Sequence, residues 1–327
     1  MIQRRTILKA SALLGASAIA PAALAQSGRP VKIVVGFLPG GLTDVVARLL
    51  AEGLNRQNLG STFIVESKPG ANGRIATAYL KNSSPDGATL MYAAMNVMAL
   101  APHIYKKLDY EPLTDFVPVH TANSFGYVLS VGPAVPAQVK TLKEYLAWVK
   151  ADPTRGNYAG VPGAPQHLLA AYLSKITDTP LTLVPYKGGG PAMAMDIIRG
   201  EAPSTIQVTA DALQFQGADK LRTLATFTRV RSPFLPNVPT AAEAGVPGLE
   251  IDESMGVFAP KGTPPAVVQR LSAAIQQVVS QPSFRTSLAT QASVPDNADP
   301  EQFARMLKQD HSFWSKVVAS TGFTLTE

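Results

Sequence analysis

The sequence contains no cysteine. That excludes disulfides, thiolate metal sites and a cysteine nucleophile, and it leaves core burial to stabilise the chain. Histidine is scarce. His103, His120, His167 and His311 are scattered, and none has a second histidine three or four residues away, which argues against a zinc site. After the first 25 residues there is no Gly-x-Ser-x-Gly elbow, no phosphate loop and no dinucleotide fingerprint. Neither sign of charge dominates, with 29 Lys and Arg against 23 Asp and Glu. Three of the bases (Arg4, Arg5 and Lys9) lie in the first 25 residues, which hold no acid, so the rest carries only about +3. So mild and dispersed a charge does not make a nucleic-acid surface. No apolar run reaches the roughly 20 residues of a membrane span.

What is present begins with export. Arg4-Arg5, then Thr6-Ile7-Leu8-Lys9, an Ala/Leu-rich stretch over 10–20 and Ala23-Leu24-Ala25 form a secretory signal with a small-residue cleavage site. The paired arginines resemble a twin-arginine signal; an ordinary signal holding two arginines is the alternative. Residues 1–25 are therefore set apart as an export segment. The mature chain is expected to be a soluble periplasmic protein of some 300 residues, long enough for two domains.

The mature chain alternates strand and helix patterns, which predicts a mainly parallel α/β fold. Apolar runs at 31–35, 63–66, 89–93, 127–131, 157–159, 182–185, 204–208, 222–226 and 255–258 read as strands. Helical spacing marks 42–57, 74–82, 99–105, 141–152, 165–176, 191–200, 239–245, 264–280, 282–291 and 300–320, many opened by proline.

Ligands of open α/β sheets bind outside the carboxyl ends of the strands. Five strand-to-helix turns are candidates: Phe37-Leu38-Pro39-Gly40-Gly41-Leu42-Thr43-Asp44; Met95-Asn96; Gly160 to His167, including Gly163 and Gln166; Tyr186-Lys187-Gly188-Gly189-Gly190; and Gln207-Val208-Thr209. The first pairs a glycine turn with a helix N-terminus, a ready anion site. Two sets of such turns facing each other make an interlobe cleft. No nucleophile–base pair accompanies them, so binding is expected rather than catalysis.

These residues carry a resemblance. The segments Gly36–Asp44, Glu66–Gly73, Pro85–Gly87, Asp115–Val119, Val184–Gly188, Leu235–Gly245 and Phe258–Pro265 resemble, in this order, the Bug family of periplasmic solute-binding receptors of tripartite tricarboxylate transporters. The resemblance implies a two-lobed Venus-flytrap receptor. Lobe 1 would span 26–125 and 255–327, and lobe 2 would span 126–254. A small carboxylate would sit between Phe37, Leu38, Gly40, Gly41 and Asp44 on one side and Gly163, Gln166 and His167 on the other, with Tyr186 and Lys187 matching a Tyr-Lys-Gly segment. The implied partners are membrane transporter subunits or a sensor kinase, with the receptor itself a monomer that takes no metal and no organic cofactor. A ligand-sensing or orphan receptor is the alternative function.

Three departures from the family's pattern stand out. Leu42 stands for a usual third glycine, Ala164-Pro165-Gln166 for small hydroxyl residues, and Gln207 for a common aspartate. With Phe37, Met95, Met98 and Tyr186 as a soft wall, they predict a carboxylate without an amino group and with an apolar or aromatic body.

Overall fold

The computed structural model describes residues 28–186, 190–216 and 220–325. The export segment, Lys187 and Gly188 lie outside them. The chain opens with β1 (Val31–Val35), α1 (Leu42–Arg56), β2 (Phe63–Ser67), α2 (Arg74–Lys81), β3 (Thr89–Ala94), the short α3 (Asn96–Ala99) and α4 (Ala101–Ile104), α5 (Pro112–Asp115) and β4 (Phe116–Phe125). After Gly126 come β5 (Tyr127–Val131), α6 (Leu142–Ala151), β6 (Asn157–Gly160), α7 (Pro165–Thr177), β7 (Thr182–Pro185), α8 (Gly190–Ile198), β8 (Ser204–Val208), α9 (Thr209–Gln214) and β9 (Arg222–Thr226). The chain closes with β10 (Glu253–Pro260), α10 (Pro265–Val279), α11 (Pro282–Ala289), β11 (Val294–Pro295) and α12 (Pro300–Thr321).

Two sheets form two lobes. The first has the order β11-β4-β10-β3-β1-β2, and the second β7-β6-β8-β5-β9. β1 runs parallel to β2 and β3, while β10 returns antiparallel between β3 and β4. The second sheet is likewise mixed, with β6 parallel to β7 and β8 and with β5 antiparallel to β8 and β9. The sheets are therefore less parallel than the alternation of patterns predicts. The chain passes between them at Gly126 and comes back at Glu253.

β4 is a ten-residue strand that the sequence pattern does not announce. It reads Phe-Val-Pro-Val-His-Thr-Ala-Asn-Ser-Phe, with His120, Thr121 and Asn123 buried in place of apolar residues. Burial of these groups is tolerable because each is hydrogen-bonded. The His120 ring nitrogens meet Ser272 Oγ and Asn297 Oδ1, Thr121 Oγ1 accepts from the Ala298 amide, and Asn123 donates to Ser293 Oγ and accepts from the Tyr92 hydroxyl. Residues 239–245, expected to be helical, instead form a hydrogen-bonded turn around Thr240 and Glu243, ended by Gly245 at φ +87°. The segment is too short to propagate a helix.

One apolar cluster lies between the first sheet and α1 and α10, holding Val46, Leu50, Leu54, Leu271 and Ile275. A second runs from Met95 and Met98 through Trp314 and Leu307 of α12 to Leu168, Leu169 and Leu173 of α7. α12 thus packs on β4 and α3 of the first lobe and on α7 of the second. Among the terminal helices it is α12 that reaches both lobes, burying Phe303, Leu307, Trp314, Val317 and Val318 along its 22 residues. Among the described residues no helix is long and apolar enough to cross a membrane.

Candidate functional site

Between the lobes lies a cavity of about 300 Å³, the lower end of the small-molecule range. Its first-lobe wall is built by Phe37, Leu42 and Thr43 at the start of α1, by Asn72, by Ala94 and Asn96 at the end of β3, and by Leu100, Ala101, Ile104 and Tyr105. Its second-lobe wall is Gly163, Ala164, Pro165 and Gln166 at the start of α7, together with Val208. Phe125, Tyr127 and Met255, where the chain crosses between sheets, form the floor. No Asp, Glu, His, Lys or Arg stands among these lining residues.

The turn before α1 is held by its own acid. Asp44 is buried, accepts from the Gly40 amide at 3.0 Å, and takes a two-pronged bond from Arg48 at 2.8 and 2.9 Å. The Arg48 guanidinium holds this carboxyl below its ordinary range. Gly40 adopts φ +93°, which favours glycine. Gly41 is the N-cap of α1 at φ −81° with no side-chain cap, and the first helical bond runs from Val45 N to Gly41 O. The amides of Leu42 and Thr43 therefore have no helical acceptor, and both residues line the cavity.

The second turn repeats the device. α7 has N-cap Ala164 without a side-chain cap and Pro165 at its first position. His167 does not line the cavity. Its Nδ1 accepts the Gly163 amide at 3.1 Å, fixing a turn in which Gly163 sits at φ +77°. Burial pushes the imidazole below its usual value, which keeps it neutral and able to accept. By contrast, α6 and α12 begin with reciprocal capping boxes, Thr141 with Glu144 and Asp299 with Gln302.

Beneath the cavity is a buried carboxylate. Glu253 is fully buried; Oε1 accepts the Asn96 amide at 2.9 Å and Oε2 the Tyr127 hydroxyl at 3.1 Å. Burial raises its proton affinity despite these bonds.

Of the residues singled out in the sequence, Phe37, Asn96, Gly163 and Gln166 line the cavity. Gly40, Gly41, Asp44 and His167 shape its two turns. Leu38 lies beside them, 70% exposed. Tyr186 packs instead on the Met193–Ile197 cluster, where burial and the Asp196 side chain raise its proton affinity. Gln207 does not reach the cavity: it is buried on the opposite face of β8, donating to Ser130 Oγ, and its neighbour Val208 takes the lining position. Met95 and Met98 are also displaced from the expected wall, being 1% and 0% exposed in the core. Leu100, Ile104, Phe125 and Met255 supply the apolar surface in their place. Asn72, Tyr105, Tyr127 and Glu253 were not anticipated. The Asn72-Gly73 dipeptide at positive φ and a lone glutamate entering an apolar strand are the signals that mark two of them.

With the geometry in place, likeness to known proteins becomes informative. Residues 46–323 match the model of the tripartite tricarboxylate transporter family receptor. The chain belongs to that family. It is 32% identical over 299 residues to the protein BugT of Bordetella pertussis, covering 91% of this chain and 90% of BugT. Its fold matches that of an R. palustris protein with adipate at a TM-score of 0.79 and 30% identity, covering 90% of this chain and 98% of that one. It matches the periplasmic binding protein BugD at 0.75 and 31% (90% and 98% covered), and MatC from Rhodopseudomonas palustris with bound malate at 0.74 and 30% (89% and 99%). The Bug-type receptor predicted from the motifs is therefore the family of this chain. As a member of it the protein is a periplasmic solute-binding protein and not an enzyme.

Proposed function

We propose that this receptor captures a small carboxylate lacking an amino group and delivers it to the membrane subunits of a tripartite transporter. The observation that carries this reading is the convergence of two uncapped helix N-termini, α1 at Leu42–Thr43 and α7 at Ala164–Gln166, on one cavity without charged walls. Each such terminus favours an anion by roughly 0.3–1 kcal/mol, up to about 2 when partly buried. A carboxylate would accept amides from the first turn on one side and the second on the other. It would thereby tie lobe 1 (26–125 and 255–327) to lobe 2 (126–254) after export by residues 1–25.

The rest of the ligand would lie on Phe37, Leu100, Ile104, Phe125 and Met255. The amides of Asn72, Asn96 and Gln166 offer neutral hydrogen bonds to a second polar group. An ammonium group would find no free carboxylate among the described lining residues, because Glu253 lies beneath with both oxygens engaged. The acids held by two relatives, adipate and malate, fit this chemistry.

A thermal-shift panel of adipate, malate, benzoate, aspartate and glutamate tests the reading. An acid at 100 times its Kd adds about 2.7 kcal/mol to the folded state. Stabilisation by the first three above the amino acids is expected. No shift with any carboxylate would overturn it.

A further inference from the structure

The segment after α12 connects the two walls of the cavity. Gly322, at φ +66°, ends the helix and turns the chain back. The Leu325 amide then donates to Ile104 O at 2.7 Å, and Leu325 forms a parallel bridge with Tyr105. Both partners line the cavity from the first lobe. The Leu325 side chain reaches the second lobe, where Cδ1 lies 2.7 Å from the place a Cβ on Gly163 would occupy. Phe323 sets its ring edge-on against His167, with centroids 4.5 Å apart and planes at 85°. His167 is the acceptor that fixes the Gly163 amide.

The anchor on the first lobe is itself firm. Tyr105 accepts from Asn72 Nδ2 at 3.2 Å, and its ring lies under the Arg74 guanidinium at 3.9 Å. α12 is the mount: it packs on α3 and α7 at once, and the His311 ring meets His103 edge-on while its carbonyl meets His103 Nε2 at 3.0 Å. One continuous chain of contacts thus runs Asn72–Tyr105–Leu325–Gly163–His167–Phe323. Four of these six residues belong to the binding walls or their turns, and Phe323 and Leu325 hold them together from behind.

We propose that Phe323 and Leu325 are positioning residues of the ligand site, clamping the Gly163–His167 turn of the second lobe to Ile104–Tyr105 of the first. They set ligand affinity without touching the ligand. Within the turn the Gly163 amide is held by His167 Nδ1 and the Ala164 amide by Val161 O, while Pro165 brings no amide and Gln166 offers its own to an anion, so the first of these bonds depends on where the His167 ring is held. A clamp that orders the turn beforehand reduces the entropy that binding must spend on ordering. The same contacts make Gly163 doubly constrained, by its dihedral angle and by the Leu325 methyl against its Cα. The clamp rests on the carboxylate reading only where affinity is concerned; the ordering of the turn does not depend on it.

The experiment uses the full mature protein and the variants Phe323→Ala, Leu325→Ala and Phe323→Tyr, with adipate as probe. Amide hydrogen exchange at Gly163, read by NMR without ligand, should speed up at least tenfold in both alanine variants. Phe323→Tyr keeps the ring and should restore protection. The His167 ring protons should lose the ring-current shift in Phe323→Ala alone. By calorimetry the adipate Kd should rise about tenfold in the alanine variants and return within twofold in Phe323→Tyr, an effect that a general loss of packing would not reproduce. If an alanine variant fails to fold, Leu325→Met, which retains volume but alters branching, carries the exchange comparison in its place, with expected acceleration at Gly163 and none in α6. Unchanged exchange at Gly163 in the folded variants overturns the clamp. If the wild type takes up no adipate, the affinity comparison moves to the acid that stabilises it most in the thermal-shift panel; if none does, the proposed function is what fails, and in either case the exchange data still decide the clamp.

Discussion

The backbone N–H of Asn96 donates to Oε1 of Glu253 at 2.9 Å. This bond joins the cavity wall after β3 to the strand by which the chain re-enters the first lobe, while the other oxygen of Glu253 holds Tyr127 at the first residue of β5. One carboxylate therefore pins the places where the chain leaves and regains the first sheet.

Glu253→Gln should show what that pin is worth. Glutamine keeps the shape but offers one acceptor where two donors, an amide and a hydroxyl, converge. Leaving one of them unpaired costs about 1–3 kcal/mol. Urea unfolding at pH 7 should show a loss of that order. Unchanged stability would mean that the two bonds contribute nothing net.

Adjacent glycines in the first turn should respond differently. Gly40 lies at φ +93°, so Gly40→Val forces a β-branched residue into left-handed backbone at a cost of about 1–2 kcal/mol or more. Gly41 lies at φ −81° with only Leu38 O, at 4.0 Å, near its missing Cβ. Gly41→Val should fold normally by circular dichroism yet abolish ligand binding, because the new methyls sit at the uncapped start of α1. Equal losses of melting temperature in the two variants would contradict this.

Asp310 supplies a pH dependence. It sits on α12, buried, with Oδ2 lacking a hydrogen-bond partner, and Glu253, Asp252 and Arg229 are the charges that bear on it. Burial, reinforced by the Glu253 charge, pushes this carboxyl up to about 8. A raised acid binds its proton more tightly folded than unfolded. Its contribution is therefore intact below the unfolded value near 4 and is lost as pH rises through about 8. Asp310→Asn, which mimics the protonated form, should be close to neutral at about pH 3.5 and increasingly stabilising as pH rises, by about 1 kcal/mol or more at pH 8.5. A stability gap that does not widen with pH would show that Asp310 titrates normally.

Legibility in the sequence followed physical simplicity. The glycine turn before α1 was readable because strand, Gly-Gly and helix start are each local signals, and Pro165 marked α7 in the same way. β4 was not readable: its buried polar residues are satisfied by partners more than 100 positions away, at Ser272, Ser293, Asn297 and Ala298. Gln207 and Val208 illustrate a register problem. Adjacent strand residues face opposite sides of the sheet, and a strand buried on both faces gives no alternation to say which side meets the cavity. Met95 and Met98 were misread for a similar reason, since α3 is only four residues long and its buried face cannot be told from periodicity. Phe323 and Leu325 matter through contacts across the molecule that no local pattern encodes.

Recognition of a carboxylate is assigned to unpaired amides at the starts of α1 and α7. Titration calorimetry with adipate and with its diamide, adipamide, tests it most directly, because the two share the four-methylene body and differ only in charged end groups. The acid should bind one-to-one and the amide at least tenfold more weakly, a difference of about 1.4 kcal/mol. Equal affinity for acid and amide would contradict it.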